Sequence, residues 1–149
     1  MGDRVQVTLT IPRVLISLAR PLFTFNIDDA DEDDDDYIFY TFDECNYGDL
    51  PFTDALIRHG IPHDRAWEEG SDYGSGTEYY RFTPEGELIC TQVFRHSLGI
   101  NIPKLLELIN NYEELKDYIL ERHKDNETLP WDNQIEYGRI YRARRLITG

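Results

Sequence analysis

Hydrophobic and polar residues alternate along residues 5–11, with Val5, Val7, Leu9 and Ile11 on one side and Gln6, Thr8 and Thr10 on the other. A period of two predicts a strand with one buried face. Pro12 ends that strand and can open a short helix striped by Val14, Leu15, Leu18 and Ala19, which Pro21 stops. Residues 22–27 are apolar and read as extended, a candidate second strand. Residues 37–42 predict a buried or half-buried strand, and residues 43–48 a turn. Asp49 can cap a helix over residues 49–59, with Pro51 in its first turn, where a missing N–H is harmless. Gly60 is placed to end it, and Ile61-Pro62 to block continuation.

Residues 63–68 predict another strand. Two runs rich in aromatic and β-branched residues, 78–83 and 88–94, flank Pro84-Glu85-Gly86. Proline sets φ for the second residue of a type I turn and glycine supplies positive φ, so these runs predict a hairpin. The period then becomes helical. Ile102, Leu105, Leu106 and Ile109 are spaced as a helix burying one face requires, Asn110-Asn111 breaks the pattern, and residues 113–124 resume it. Residues 134–147 read as a helix in preference to a strand. The expected fold is a single α+β domain over residues 1–149. It has a four- to five-stranded, mostly antiparallel sheet, helices packed on one face and a helical C-terminal third.

Composition adds a strong asymmetry to this outline. The chain carries 29 acidic and 15 basic residues, a net charge of −14. Residues 28–78 hold 17 carboxylates against Arg58 and Arg65 alone, a net of −15; the remainder has 12 acids and 13 bases, a net of +1. A concentrated negative field steers cationic partners and repels nucleic acid. Its centre is residues 28–36, eight carboxylates interrupted only by Ala30: Asp28, Asp29, Asp31, Glu32, Asp33, Asp34, Asp35 and Asp36. Repulsion and the lack of apolar side chains predict an exposed, mobile loop, whose plainer role is to solvate or gate-keep a neighbouring strand. No apolar run approaches a membrane span and no charged-then-apolar leader opens the chain, so the expectation is a soluble cytoplasmic protein.

Candidate chemistry is sparse. An EF-hand loop from Asp29 places Asp31 and Asp33 correctly, but puts Asp34 where glycine is needed and Tyr40 where glutamate is needed. His59 and His63 are four apart, yet Gly60 and Pro62 lie between them, so no metal site is expected. Cys45 and Cys90 have no metal or redox spacing, and no catalytic triad context surrounds any serine or cysteine. The glycine-rich stretch 70–77 lacks a lysine, leads into a strand and has Glu68, Glu69 and Glu78 for neighbours, so it reads as a β–β connection and not as a phosphate cradle. Neither a cofactor nor a catalytic residue is expected. Trp67, Tyr73, Tyr79 and Tyr80 divide between core and an exposed aromatic surface. The arginines at 139, 142, 144 and 145 are set against the acidic field and more plausibly serve the protein's own carboxylates or a helix C-terminus than nucleic acid.

The stretch from Tyr40-Thr-Phe-Asp-Glu through Gly60-Ile-Pro-His-Asp to residues 67–82, which begin Trp-Glu-Glu-Gly-Ser-Asp-Tyr-Gly-Ser-Gly, resembles small acidic uncharacterised proteins of bacterial plasmids and phages. It covers about a third of the chain. The resemblance implies a mobile-element setting, in which small acidic proteins often antagonise host nucleic-acid-binding machinery such as restriction or CRISPR complexes. The leading expectation is a non-enzymatic inhibitor that mimics nucleic acid and occupies a basic protein surface, without touching nucleic acid or membrane itself. Its contact residues would be the eight carboxylates of 28–36 with Asp43, Glu44, Glu68, Glu69, Asp72, Tyr73 and Glu78. The competing expectations are an immunity protein against a basic toxin, a small enzyme or ligand-binding domain built on Tyr73, Tyr80, Arg81 and His63, and a structural subunit whose acidic loop only solvates it.

Overall fold

The computed structural model describes residues 4–24, 32–33, 36–46, 49–70, 74–94, 101–125 and 128–148. Strand β1 (Arg4–Pro12) is central, because its alternation leaves Val7, Leu9 and Ile11 without solvent exposure. It pairs antiparallel with β3 (Tyr37–Asn46) on one side and with β4 (His63–Trp67) on the other. Strand β4 pairs with β5 (Gly76–Phe82), and β5 with β6 (Leu88–Phe94). These are five full strands, all antiparallel. A two-residue strand, β2 (Glu32–Asp33), adds to the outer side of β3, giving the order β2-β3-β1-β4-β5-β6.

Residues opposite one another in a ladder share a face of the sheet. One face therefore gathers Val7, Leu9, Ile11, Ile38, Tyr40, Phe42, His63, Arg65, Trp67, Tyr80 and Phe82, all buried. Over its β1–β3 half lie α1 (Ile16–Ala19) and α2 (Thr53–Arg58), which add Ala19 and Leu56 to the core, with Leu50 and Phe52 from the turn that leads into α2. Phe23 closes this cluster, its ring 4.8 Å from that of Phe52 and 5.3 Å from that of Tyr40. Helix α2 starts at Thr53, four residues later than Asp49. Asp49 Oδ1 accepts from the Leu50 N–H instead, and Thr53 bonds the Leu50 carbonyl. It ends as expected: Gly60 has φ +69°, and the Ile61 N–H reaches back 3.0 Å to the Leu56 carbonyl.

The hairpin forms as the sequence predicts. The Gly86 N–H bonds the Thr83 carbonyl, the Thr83 N–H bonds the Glu87 carbonyl, and Gly86 has φ +76°. The C-terminal third is helical: α3 (Ile102–Leu108), α4 (Tyr112–Asp125) and α5 (Gln134–Thr148). Asn101 and Asn111 cap the first two, each accepting at 3.2 Å from the backbone N–H three residues on. Helix α5 docks where β5 outruns β4. There Gln134 supplies the missing partner, accepting from the Phe82 N–H at 2.7 Å and donating to its carbonyl at 2.9 Å. Tyr141 packs its ring against Phe82 at a 40° tilt, and Gly138 meets Gly60 so closely that a Cβ on either would fall about 2 Å from the other's carbonyl oxygen.

Three sequence expectations need correction. Residues 43–46 are strand and not turn: β3 bulges opposite Gln6, where the register slips between Val5 and Val7, and then continues to bury Cys45. Leu22 lies in a 3₁₀ turn and residues 23–24 in no regular structure, so no strand starts there; residues 25–27 lie outside the described residues. Helix α3 does not bury the whole face its spacing implied, since Ile102, Leu106 and Ile109 are 62–68% exposed and only Leu108 is buried.

Candidate functional site

The described positions of the acidic segment include the outer edge beyond β3 and the end of the sheet where β3 and β4 flank Gln6. Glu32 and Asp33 pair with Phe39 and Ile38, so the acidic run contributes the edge strand itself and not only a tip. Asp36 is exposed, and its carbonyl accepts from the Arg13 N–H at 2.9 Å. At the far end of β3, Asp43 and Glu44 occupy the bulge. Glu68 and Glu69 follow β4 at that same end, where the Glu68 N–H bonds the Gln6 carbonyl. Both are exposed, and no ion pair to either is found among the described residues. They rim a cleft of about 460 Å³ lined by Gln6, Thr8, Ala66 and Ser75. Asp28, Asp29, Asp31, Asp34, Asp35, Asp72 and Tyr73 lie outside the described residues.

Glu78 stands apart from this set. It sits on the core face of β5, 2.9 Å from Arg65, and also accepts from Tyr80 Oη and from Gln92 at 3.2 Å. Burial pushes its carboxyl up, but the bonds from Tyr80 and Arg65 outweigh burial and hold its pKa below the usual range. Arg65 is 8% exposed and lies over the Trp67 ring. Beside them His63 has no exposure, stacks on Tyr80 at 4.4 Å and gives its Nδ1–H to the Ile61 carbonyl at 2.9 Å. Burial, reinforced by Arg81 and Arg65, lowers its pKa to about 4. Tyr80 is pushed up by burial and by Glu78, and the Cys90 thiol by burial and by the same carboxylate. At neutral pH this cluster holds a neutral imidazole, a protonated phenol and a protonated thiol. The protons of His63 Nδ1 and Tyr80 Oη are committed to internal bonds, which suits a polar brace under β5 better than proton transfer.

Arg81 braces the opposite face. It pairs with Asp64 at 2.6 Å, donates to the Leu129 carbonyl at 3.0 Å and stacks 3.6 Å over Trp131, which in turn meets Tyr37. Burial raises the Asp64 pKa despite the pull of Arg81. The ligand-pocket set His63, Tyr80 and Arg81 is thus divided, since Arg81 points to the other face from His63 and Tyr80. Of the aromatic set, Trp67 and Tyr80 are buried and Tyr79 is half-buried. The C-terminal arginines are placed by the hairpin: Arg144 donates to the Glu85 carbonyl and Arg145 to Tyr141 Oη.

Sequence reasoning set Arg81 in a pocket and not in a brace, and missed Gln134 and the Gly60–Gly138 contact. A glycine inside α5 was the one available signal, because glycine in a helix interior usually marks close backbone approach. Among the described residues no three metal-ligating side chains converge, and no helix is long and apolar enough to cross a membrane. No family model, no curated protein and no solved structure matches the chain.

Proposed function

We propose that the protein is a non-enzymatic, protein-binding inhibitor whose acidic flank occupies a basic surface, in the manner of a nucleic-acid mimic. The observation that carries this reading is the segregation of charge. Residues 28–78 hold a net −15 against +1 for the rest of the chain. The edge pairing of Glu32 and Asp33 and the exposure of Asp36, Glu68 and Glu69 support it by assigning this charge to β2, β3 and the end of β4. Two carboxylates of the segment, Asp64 and Glu78, are paired with Arg81 and Arg65, so Glu78 leaves the contact set. The rest meets the partner chiefly through charge, so the complex must be salt-sensitive.

The test captures bacterial host proteins on the immobilised chain and elutes them along a salt gradient. The expected result is release of a nucleic-acid-binding protein before about 0.5 M salt, where the Debye length is roughly 4 Å. Retention beyond that point, or unchanged capture by a variant with the acids of residues 31–36 replaced by Asn and Gln, would overturn the reading.

A further inference from the structure

The opposite edge of the sheet has none of this charge. Strand β6 reads Leu-Ile-Cys-Thr-Gln-Val-Phe, with no charged residue, no proline and no glycine. Its register against β5 is uniform from Phe82–Leu88 to Gly76–Phe94, so no bulge twists it away. Cys90 and Gln92 are exposed, Ile89 is 38% exposed, and no described strand lies outside it. An edge of this length without charge, proline or bulge is a template for another strand.

The backbone fixes which groups are on offer. Thr83 and Glu87 form a bonded pair, and bonded pairs alternate along an antiparallel ladder. Ile89, Thr91 and Val93 therefore turn their N–H and C=O groups toward β5, while Leu88, Cys90 and Gln92 turn theirs outward. The grip of Gln134 on the Phe82 N–H and C=O, on the side away from β6, agrees with this phase.

We infer that β6 is a self-pairing edge, which joins a second copy of this chain antiparallel about a two-fold axis through Thr91. That register sets Leu88 of one copy opposite Phe94 of the other, and Cys90 opposite Gln92. On the other face it sets Ile89 opposite Val93 and Thr91 opposite itself. Leu88 meets Phe94, Ile89 meets Val93 and hydroxyl meets hydroxyl, the pairings that stabilise a cross-strand contact, and Cys90 opposite Gln92 is the one mixed pair. Shifting the axis to Cys90 or Gln92 shortens the ladder and sets Leu88 against Gln92 or Cys90 against Phe94. The net charge opposes association generally, but β2 lies five strand spacings from β6, roughly 24 Å, and Glu68 and Glu69 follow β4, two spacings or roughly 10 Å away, while screening acts over about 8 Å at physiological salt. The uncharged edge is thus where two copies approach with least repulsion, and pairing there leaves both acidic flanks outermost.

The experiment uses cysteine cross-linking of the full chain in a Cys90→Ser background, with sedimentation on the unmodified protein. In the proposed register Thr91 faces its own copy at a Cα separation of about 4.5 Å, within disulfide reach, whereas the two copies of residue 89 stand on the order of 13 Å apart. Thr91→Cys should oxidise to a covalent dimer, Ile89→Cys should not, and Thr91→Lys should abolish the sedimenting dimer. The unmodified dimer should strengthen as salt rises, opposite in sign to the acidic contact. A monomer at all concentrations, equal cross-linking at residues 89 and 91, or a dimer that survives Thr91→Lys but dissolves on Ile109→Glu in the exposed stripe of α3 would each overturn the proposal.

Discussion

The two edges of this sheet handle the same physical problem in opposite ways. Any edge strand presents unpaired N–H and C=O groups. At one edge the chain adds Glu32 and Asp33, a strand of two residues drawn from an acidic run. At the other it leaves seven uncharged residues in straight register. Between them a rigid middle is braced by buried ion pairs on both faces, Arg65–Glu78 on the core face and Arg81–Asp64 on the other. Charge at an edge excludes strands and admits cations, whereas its lack admits strands. One sheet can therefore present two surfaces with opposite salt dependence.

The strongest way to break the comparison is to remove the middle. Arg81→Met would strand Asp64 and uncouple the 128–131 segment, at a cost of about 3–5 kcal/mol. Urea unfolding should show the loss, and both edge behaviours should fail together. Replacing the acids of residues 31–36 with Asn and Gln breaks one edge only. At about 0.5 kcal/mol for each of the six charges removed, capture of the basic partner should weaken about a hundredfold, while self-association should persist.

Acid offers a graded version of the first test. His63 titrates near 4 when folded and near 6.5 when unfolded. The unfolded chain therefore binds more protons between these values, and stability falls as pH drops through that window. This group alone should remove about 2 kcal/mol between pH 7 and pH 5, readable in urea midpoints, and His63→Phe should flatten that dependence. Gly86→Ala sharpens the comparison at the hairpin. A Cβ there faces φ +76° and lies 2.5 Å from Ile140 Cγ2. The expected cost is about 1 kcal/mol, since an L side chain resists positive φ. The smallest effect belongs to Ile109→Gln. At 62% exposure it should move the unfolding midpoint by less than about 0.5 kcal/mol.

Much of this architecture was legible from local pattern. The alternation of residues 5–11, the Pro84–Gly86 turn and the Gly60 stop each carry their cause within a few residues, and each formed. Asp43 and Glu44 misled because a bulge leaves no mark in a single strand; it appears only against Gln6 across the ladder. Ile102, Leu106 and Ile109 have the spacing of a buried stripe, but spacing cannot say whether anything lies opposite. The brace residues were illegible for a related reason. Arg81 reads as a pocket residue beside Tyr80 and His63 until Asp64, Leu129 and Trp131 are brought around it on the other face. Of the acidic contact set, Glu78 shows how far charge counting reaches: it sums correctly, yet Arg65 has already claimed it.

Residue-resolved amide exchange of β6 at high and low protein concentration tests the contrast between the edges most directly. The account predicts that the amides of Ile89, Thr91 and Val93 stay protected at both concentrations. Those of Leu88, Cys90 and Gln92 should be protected only in the concentrated sample and should lose that protection together on dilution. Outward-facing amides that exchange freely at both concentrations would contradict it.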